Sequence, residues 1–201
     1  MTDNYAKIVQ DNLNRLFDNL PKDLANNLPG KQDGSRFVFD AFGETCVIEP
    51  EGISLGGKEH TSVFGILISL YALYACSDSS VLLPLKSFRE FPDSMPYVGA
   101  FATHTEHFLV PHVAKIRESM PRITNTLKGE VAPPGAGGDF SFIVYPLPKI
   151  ALRYIFYEAD DEFPASVTCL YSNNARLFLP VDALADVGEY TSRKILKLIK
   201  Q

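Results

Sequence analysis

Along the chain, apolar positions recur first with a helical period, then with a strand period, and the two alternate to the end. Across residues 4–20, Tyr5, Ile8, Val9, Leu13, Leu16, Phe17 and Leu20 follow one another at steps of mostly three and four, which predicts an amphipathic helix. Thr2 or Asp3 is placed to cap it and Pro21 to stop it. A loop rich in Asn, Pro and Gly follows over 26–35. The period then shortens. Phe37 and Phe39 alternate with Val38 and Asp40, Gly43-Glu44 separates two β-rich runs, and Glu51-Gly52 precedes a third short run at 53–55. This predicts a three-stranded antiparallel meander.

Residues 58–76 read as the main helix. Val63, Leu67, Leu70, Tyr71 and Tyr74 form one face, and Ile66, Ile68 and Leu73 widen it almost all the way round. A helix apolar on most sides is wrapped by other elements, so it belongs at the centre of the core. Between 81 and 101, Pro84, Pro92 and Pro96 rule out a long helix. Residues 81–85 suit a short edge strand, and 97–101 the start of a helix with Pro96 in its first turn. Residues 106–119 read as a helix that Pro111 kinks or breaks. After the Gly/Pro-rich loop 129–138, two strand-like runs (140–145 and 150–158) flank a turn at 146–148. A further strand lies at 167–171. Residues 182–200 form an amphipathic helix, with Asp182 as its expected N-cap and Leu184, Val187, Thr191, Ile195, Leu198 and Ile199 inward.

The predicted fold is therefore α+β. A mostly antiparallel sheet, built from meander and hairpin strands, packs against a central apolar helix and against amphipathic helices at both ends. The length of 201 residues suits a single domain, 1–201. Within it, 1–34 is the N-terminal helix and loop, and 129–138 is the Gly/Pro-rich loop.

Composition narrows the function without naming it. The apolar share of 46% and charged share of 21% are ordinary for a globular chain. The net charge of −5 argues against a nucleic-acid partner, which needs a basic field. The Lys and Arg residues are scattered, apart from a cluster near the C-terminal end: Arg193, Lys194, Lys197 and Lys200. Cys46, Cys76 and Cys169 are an odd number, far apart, in apolar settings. They read as small buried hydrophobes rather than disulfides or a local metal site. The polar N-terminus is not a signal peptide. The longest apolar run, 63–76, is shorter than the roughly 18–20 residues that span a bilayer. These features predict a cytoplasmic protein without a membrane partner.

Three sets of polar residues are candidates for chemistry. Glu158, Asp160, Asp161 and Glu162 crowd into five positions, and a hairpin brings Asp139 to the same end. Such oxygen ligands suit Mg²⁺ or Ca²⁺, or else form a solvated turn that salt-bridges Arg89 or Arg153. Arg89, flanked by aromatics in SFREF, and Arg153, on a strand, suit a carboxylate or phosphate, or else are structural ion-pair partners. His104, His107 and His112, with Glu106, offer ligands to zinc, iron or a tetrapyrrole metal, although their spacing is not H-E-x-x-H and surface or half-buried imidazoles are the simpler reading. The phosphate-loop, dinucleotide and nucleophile-elbow motifs are all missing, and the cofactor is left unassigned.

Three segments, SFREFPDSMPYVGAF, GGDFSFIVYPLPKIALRYIFYEADDEFPASV and LPVDAL, together make the chain resemble the family catalogued as domain of unknown function 3786. The resemblance implies hosts among anaerobic bacteria and archaea, and places Asp161, Glu162, Phe163 and Pro164 in a matching motif. Some relatives join this domain to a cysteine-rich iron–sulfur module, whereas this chain has no C-x-x-C pair. The leading expectation is a ligand-binding or accessory protein of anaerobic metabolism. Its pocket would be lined by Arg89, Tyr97, Asp139, Arg153, Asp161 and Glu162 and would take a small-molecule ligand. The alternatives are a metal-dependent enzyme using Asp139, Asp160, Asp161 or Glu162, and a protein-binding subunit.

Overall fold

The computed structural model describes residues 2–133, 135 and 137–200, with side chains from residue 4 onward. The caps expected at Thr2 and Asp3, and positions 134 and 136 of the Gly/Pro-rich loop, lie outside the described side chains or residues. The fold is α+β, with two antiparallel sheets in place of one.

The first sheet is a meander in chain order: β1 (Lys31–Asp33), β2 (Arg36–Ala41), β3 (Glu44–Glu49), β4 (Gly52–Leu55) and β5 (Lys58–Glu59). The expected three strands thus become five. Phe37, Phe39, Cys46, Ile48, Ile53 and Leu55 all point to the buried face, as the two-residue period requires. Against that face lie helix α1 (Thr2–Asp18) and helix α3 (Val63–Leu73); a one-turn helix α2 (Leu24–Asn27) lies between α1 and the sheet in sequence. Val9, Leu13 and Leu16 of α1 and Phe64, Leu67, Ile68 and Tyr71 of α3 are all buried. A buried hydrogen bond from Asn12 Nδ2 to Ser69 Oγ (2.9 Å) ties the two helices together.

The second sheet has the order β6 (Lys86–Ser87), β10 (Ser166–Tyr171), β9 (Ile150–Tyr157), β8 (Phe140–Leu147), β7 (Glu130–Val131). Its core face carries cross-strand aromatic pairs, with Phe140 stacked on Phe156 (4.6 Å) and Phe142 tilted against Tyr154 (5.8 Å). Helices α5 (Val113–Thr126) and α6 (Val181–Leu198) and the short α4 (Val98–Phe101) pack against it. The C-terminal helix buries Leu184, Val187, Thr191, Ile195 and Leu198, the face its sequence period predicts.

Four local expectations are corrected. The main helix starts at Val63 rather than at 58, because Gly56 and Gly57 (φ +55° and +77°) turn the chain back and residues 58–59 pair as β5. The strand expected at 81–85 is displaced to Lys86–Ser87. The helix expected over 106–119 is split into a π-helical turn at Ala102–Glu106, a 3₁₀ segment at His107–His112 and α5. Pro111, which lacks an N–H, sits at the break. The residue before α6 is Pro180, and Asp182 falls in the first turn.

The two sheets meet at one point that matters below. Ala41 pairs with Glu44, so the β2–β3 hairpin turns on Phe42-Gly43, both at positive φ (+49° and +75°). The Phe42 N–H donates to Pro146 O of β8 at 2.6 Å. A Cβ on Gly43 would stand 2.6 Å from Thr126 O at the end of α5. Only glycine fits there, and the hairpin tip is thereby pinned onto the second half of the molecule.

Candidate functional site

The turn at Phe42-Gly43 sends the Phe42 ring inward against Phe64 (5.3 Å, edge-on) and Tyr190 (6.3 Å, edge-on), and Phe64 and Tyr190 meet at 5.3 Å and 82°. His60 lies on Phe64 at 4.9 Å. These rings come from the hairpin tip, the entry to α3 and the middle of α6. With Leu55, Ser62, Glu44, Arg193, Lys194 and Lys197 they line a cleft of about 290 Å³. Its lining combines aromatic rings with cations. Tyr190, Lys194 and Lys197 are spaced by four and three, so one face of α6 presents all of them. A water molecule occupies roughly 30 Å³ in the liquid, so the volume suits a small organic molecule.

The charges around the cleft are ordered. Lys194, with only 14% of its side chain exposed, forms an ion pair with Glu44. That hydrogen bond, followed by the nearby charges of Lys194, Lys197 and His60, holds the Glu44 carboxyl below the usual carboxylate range despite its partial burial. Arg193 pairs with Glu189 one helical turn away at 2.6 Å. Among the described residues Lys197 has no ion-pair partner. Burial pushes His60 below the ordinary histidine value, with Glu44 opposing and Lys58 assisting. Three cations and one carboxylate therefore line the cleft beside its rings. Tyr190 is pushed up, chiefly by burial and then by Asp186 and Glu189, so its hydroxyl stays protonated.

The residues expected from the sequence lie elsewhere, and most do not meet. Asp139 does reach the acidic turn: its Oδ2 accepts the Glu158 N–H at 2.7 Å. Asp160 Oδ1 accepts the N–H groups of Glu162 (2.9 Å) and Phe163 (2.7 Å), and these bonds hold its carboxyl below the ordinary value. Glu158 pairs with Arg117, which also lies over the Phe140 ring. Arg117 thus fills the part expected of Arg89 or Arg153. Asp161 and Glu162 point into solvent. Arg153 is half-buried on β9 and donates to Ser141 Oγ at 3.2 Å. Arg89 is exposed on a 3₁₀ turn, and among the described residues its side chain makes no hydrogen bond or ion pair.

Tyr97 lines a smaller cleft of about 160 Å³ with Phe101, His104, Asp182, Asp186 and Glu189. His104 and His107 are exposed on successive turns and His112 is half-buried. Glu106 turns away from them to accept the Cys169 N–H at 2.9 Å, and burial raises its carboxyl above the usual range. Among the described residues no three His, Cys, Asp or Glu side chains gather closely enough to hold a metal ion. No helix among them is long and apolar enough to cross a membrane.

Sequence reasoning registered the basic cluster at 193–200 but not its aromatic setting. The available signal was Tyr190 on the same helical face and Phe-Gly between two strands of equal length.

Residues 20–194 match the family model described as Domain of unknown function (DUF3786), and the chain belongs to that family. The matched region takes in every cleft residue named above except Lys197. No curated protein and no solved structure matches the chain.

Proposed function

We propose that this chain is a one-domain, small-ligand-binding protein, and that its ligand is a small organic acid seated in the cleft between the β2–β3 hairpin, the start of α3 and α6. One observation supports this above all others. In a chain with a net charge of −5, Arg193, Lys194 and Lys197 gather over an edge-to-face cluster of Phe42, Phe64 and Tyr190. An apolar wall favours a hydrocarbon or aromatic body. Cations close to a low-dielectric wall favour an anionic head, and the attraction weakens as salt rises. The positive φ of Phe42 supports the same reading, because a non-glycine residue held there is strained and such strain gathers at functional sites. The acidic turn lends no comparable support, since its capping carboxylates are already occupied by backbone N–H groups and Arg117.

Calorimetric titration with 3-phenylpropanoate, 3-phenylpropan-1-ol and 3-phenylpropylamine tests the reading. The carboxylate should bind measurably, the alcohol about tenfold more weakly, and the amine not at all. Lys194→Met should reduce carboxylate affinity about tenfold, in line with one charge-assisted hydrogen bond. Equal binding of the alcohol and the carboxylate, or tighter binding of the amine than of the carboxylate, would refute the assignment.

A further inference from the structure

We infer that Glu44 makes the cleft selective for acids that carry a hydrogen-bond donor, a hydroxyl or an ammonium, on the carbon beside the carboxylate. This rests on the small-acid reading above and adds the chemical class. A plain anion site would have no reason to keep a carboxylate in its lining, because two carboxylates sharing one site repel. Glu44 is nevertheless part of the lining and is firmly placed. One oxygen takes the Lys194 ammonium. The other lies directly over the backbone of Gly56, where a Cβ would stand only 2.2 Å from it. Gly56 has positive φ, and its N–H donates to Thr45 O at 2.9 Å, which locks the turn beneath the carboxylate.

An ionised carboxylate has about four acceptor positions. Lys194 occupies one, and Glu44 lines the cleft with 36% of its side chain exposed, so acceptor positions remain open to a ligand. A ligand with a donor next to its own carboxylate matches this pattern. Its anion meets Lys194 and Lys197, its donor meets Glu44, and its apolar body lies on Phe42, Phe64 and Tyr190. A ligand without the donor brings its carboxylate against Glu44 with nothing to relieve the repulsion. The hydroxyl and the ammonium share the donor chemistry, and the ammonium adds a charge attraction.

Three ligands of one skeleton separate the cases: 3-phenylpropanoate, 3-phenyllactate and phenylalanine, titrated into the unmodified protein and into Glu44→Gln. In the unmodified protein, phenyllactate or phenylalanine should bind about tenfold more tightly than phenylpropanoate. Tighter binding of phenyllactate marks a hydroxy acid as the preferred class, and of phenylalanine an amino acid. In Glu44→Gln the advantage of phenylalanine should fall to about twofold or less and phenylpropanoate should bind more tightly than before. If phenylpropanoate matches both donors in the unmodified protein, or a phenylalanine advantage survives Glu44→Gln, the inference is overturned and the small-acid reading stands. If none of the three binds, both fall. The comparison within the unmodified protein does not depend on how the variant folds.

Discussion

The acidic turn and the cationic end of α6 each crowd charge into five residues: four carboxylates over 158–162 and three cations over 193–197. They end in opposite circumstances. In the turn, Asp160 bonds to the backbone two and three residues ahead, and Asp139 caps Glu158 across the strand pair. These carboxylates satisfy their own neighbourhood, and Asp161 and Glu162 remain in water. On α6 the cations are brought against rings supplied from near residues 42 and 64, and Lys194 is paired with a residue 150 positions away. Charge density along a sequence therefore says little about a site. What matters is whether the fold sets those charges against an apolar surface, where each is less screened, and whether local backbone groups have already consumed them.

The strongest way to break this contrast is to remove a ring. Phe64 is 5% exposed and touches Phe42, Tyr190 and His60. Phe64→Ala should destabilise the protein by about 3 kcal/mol in denaturant unfolding and abolish 3-phenylpropanoate binding. A smaller loss with binding intact would mean that the rings are not the floor of the site. Next in size is Gly43→Ala. The added Cβ meets Thr126 O and the backbone is left-handed there, so the expected loss is about 2 kcal/mol. Because the same turn positions Phe42, ligand affinity should fall with it. Unchanged affinity at reduced stability would separate the hairpin tip from the site.

How far the sequence disclosed these two regions follows from the range of the interactions. The amphipathic faces of α1 and α6 and the alternation in β2 and in the second half of β9 were legible, because burial on one side of a regular element imposes its period directly. The break near Pro111 was legible from proline chemistry. The start of α3 was misplaced because apolar content masked punctuation that was present: Gly56-Gly57, then Ser62 ahead of Val63. The hairpin turn was read one residue late, at Gly43-Glu44, since a phenylalanine at positive φ contradicts local preference and is sustained only by tertiary contacts. The Glu44–Lys194 pair, 150 positions apart, left no mark in any window, and the ring cluster left only Tyr190 beside the basic residues and Phe42-Gly43 between two strands. The acidic turn was conspicuous because everything it does is local, and for the same reason it was a poor guide to the site.

Smaller effects sharpen the contrast through two aspartates moved in opposite directions. Asp186 of α6 faces Tyr97 and His104 across the small cleft and has Glu189 and Asp182 beside it on the helix. Burial, then those two like charges, raises its carboxyl from 3.8 to about 6. Its ionisation therefore opposes folding: the penalty is absent below pH 3.8, grows between there and about 6, and is complete above. Asp186→Asn should be more stable than the parent at pH 7 by about 1 kcal/mol, a figure reduced for the solvent that still reaches the group. The advantage should vanish near pH 4. An advantage independent of pH would assign it to packing instead.

Asp160 runs the other way. Its carboxyl is held below 3.8 by the Phe163 and Glu162 N–H groups, so its small contribution is present above that value and fades as the pH falls through the lowered one. Asp160→Ala should lower the melting temperature by no more than about 2 °C, because the group is fully exposed. Asp161→Ala together with Glu162→Ala should change it by less than about 1 °C and leave phenylpropanoate affinity where it was. This last variant is the most discriminating despite its size. A loss of ligand binding on removing two solvent-facing carboxylates has no explanation in the α6 cleft, and it would move the site back to the turn that the sequence first suggested.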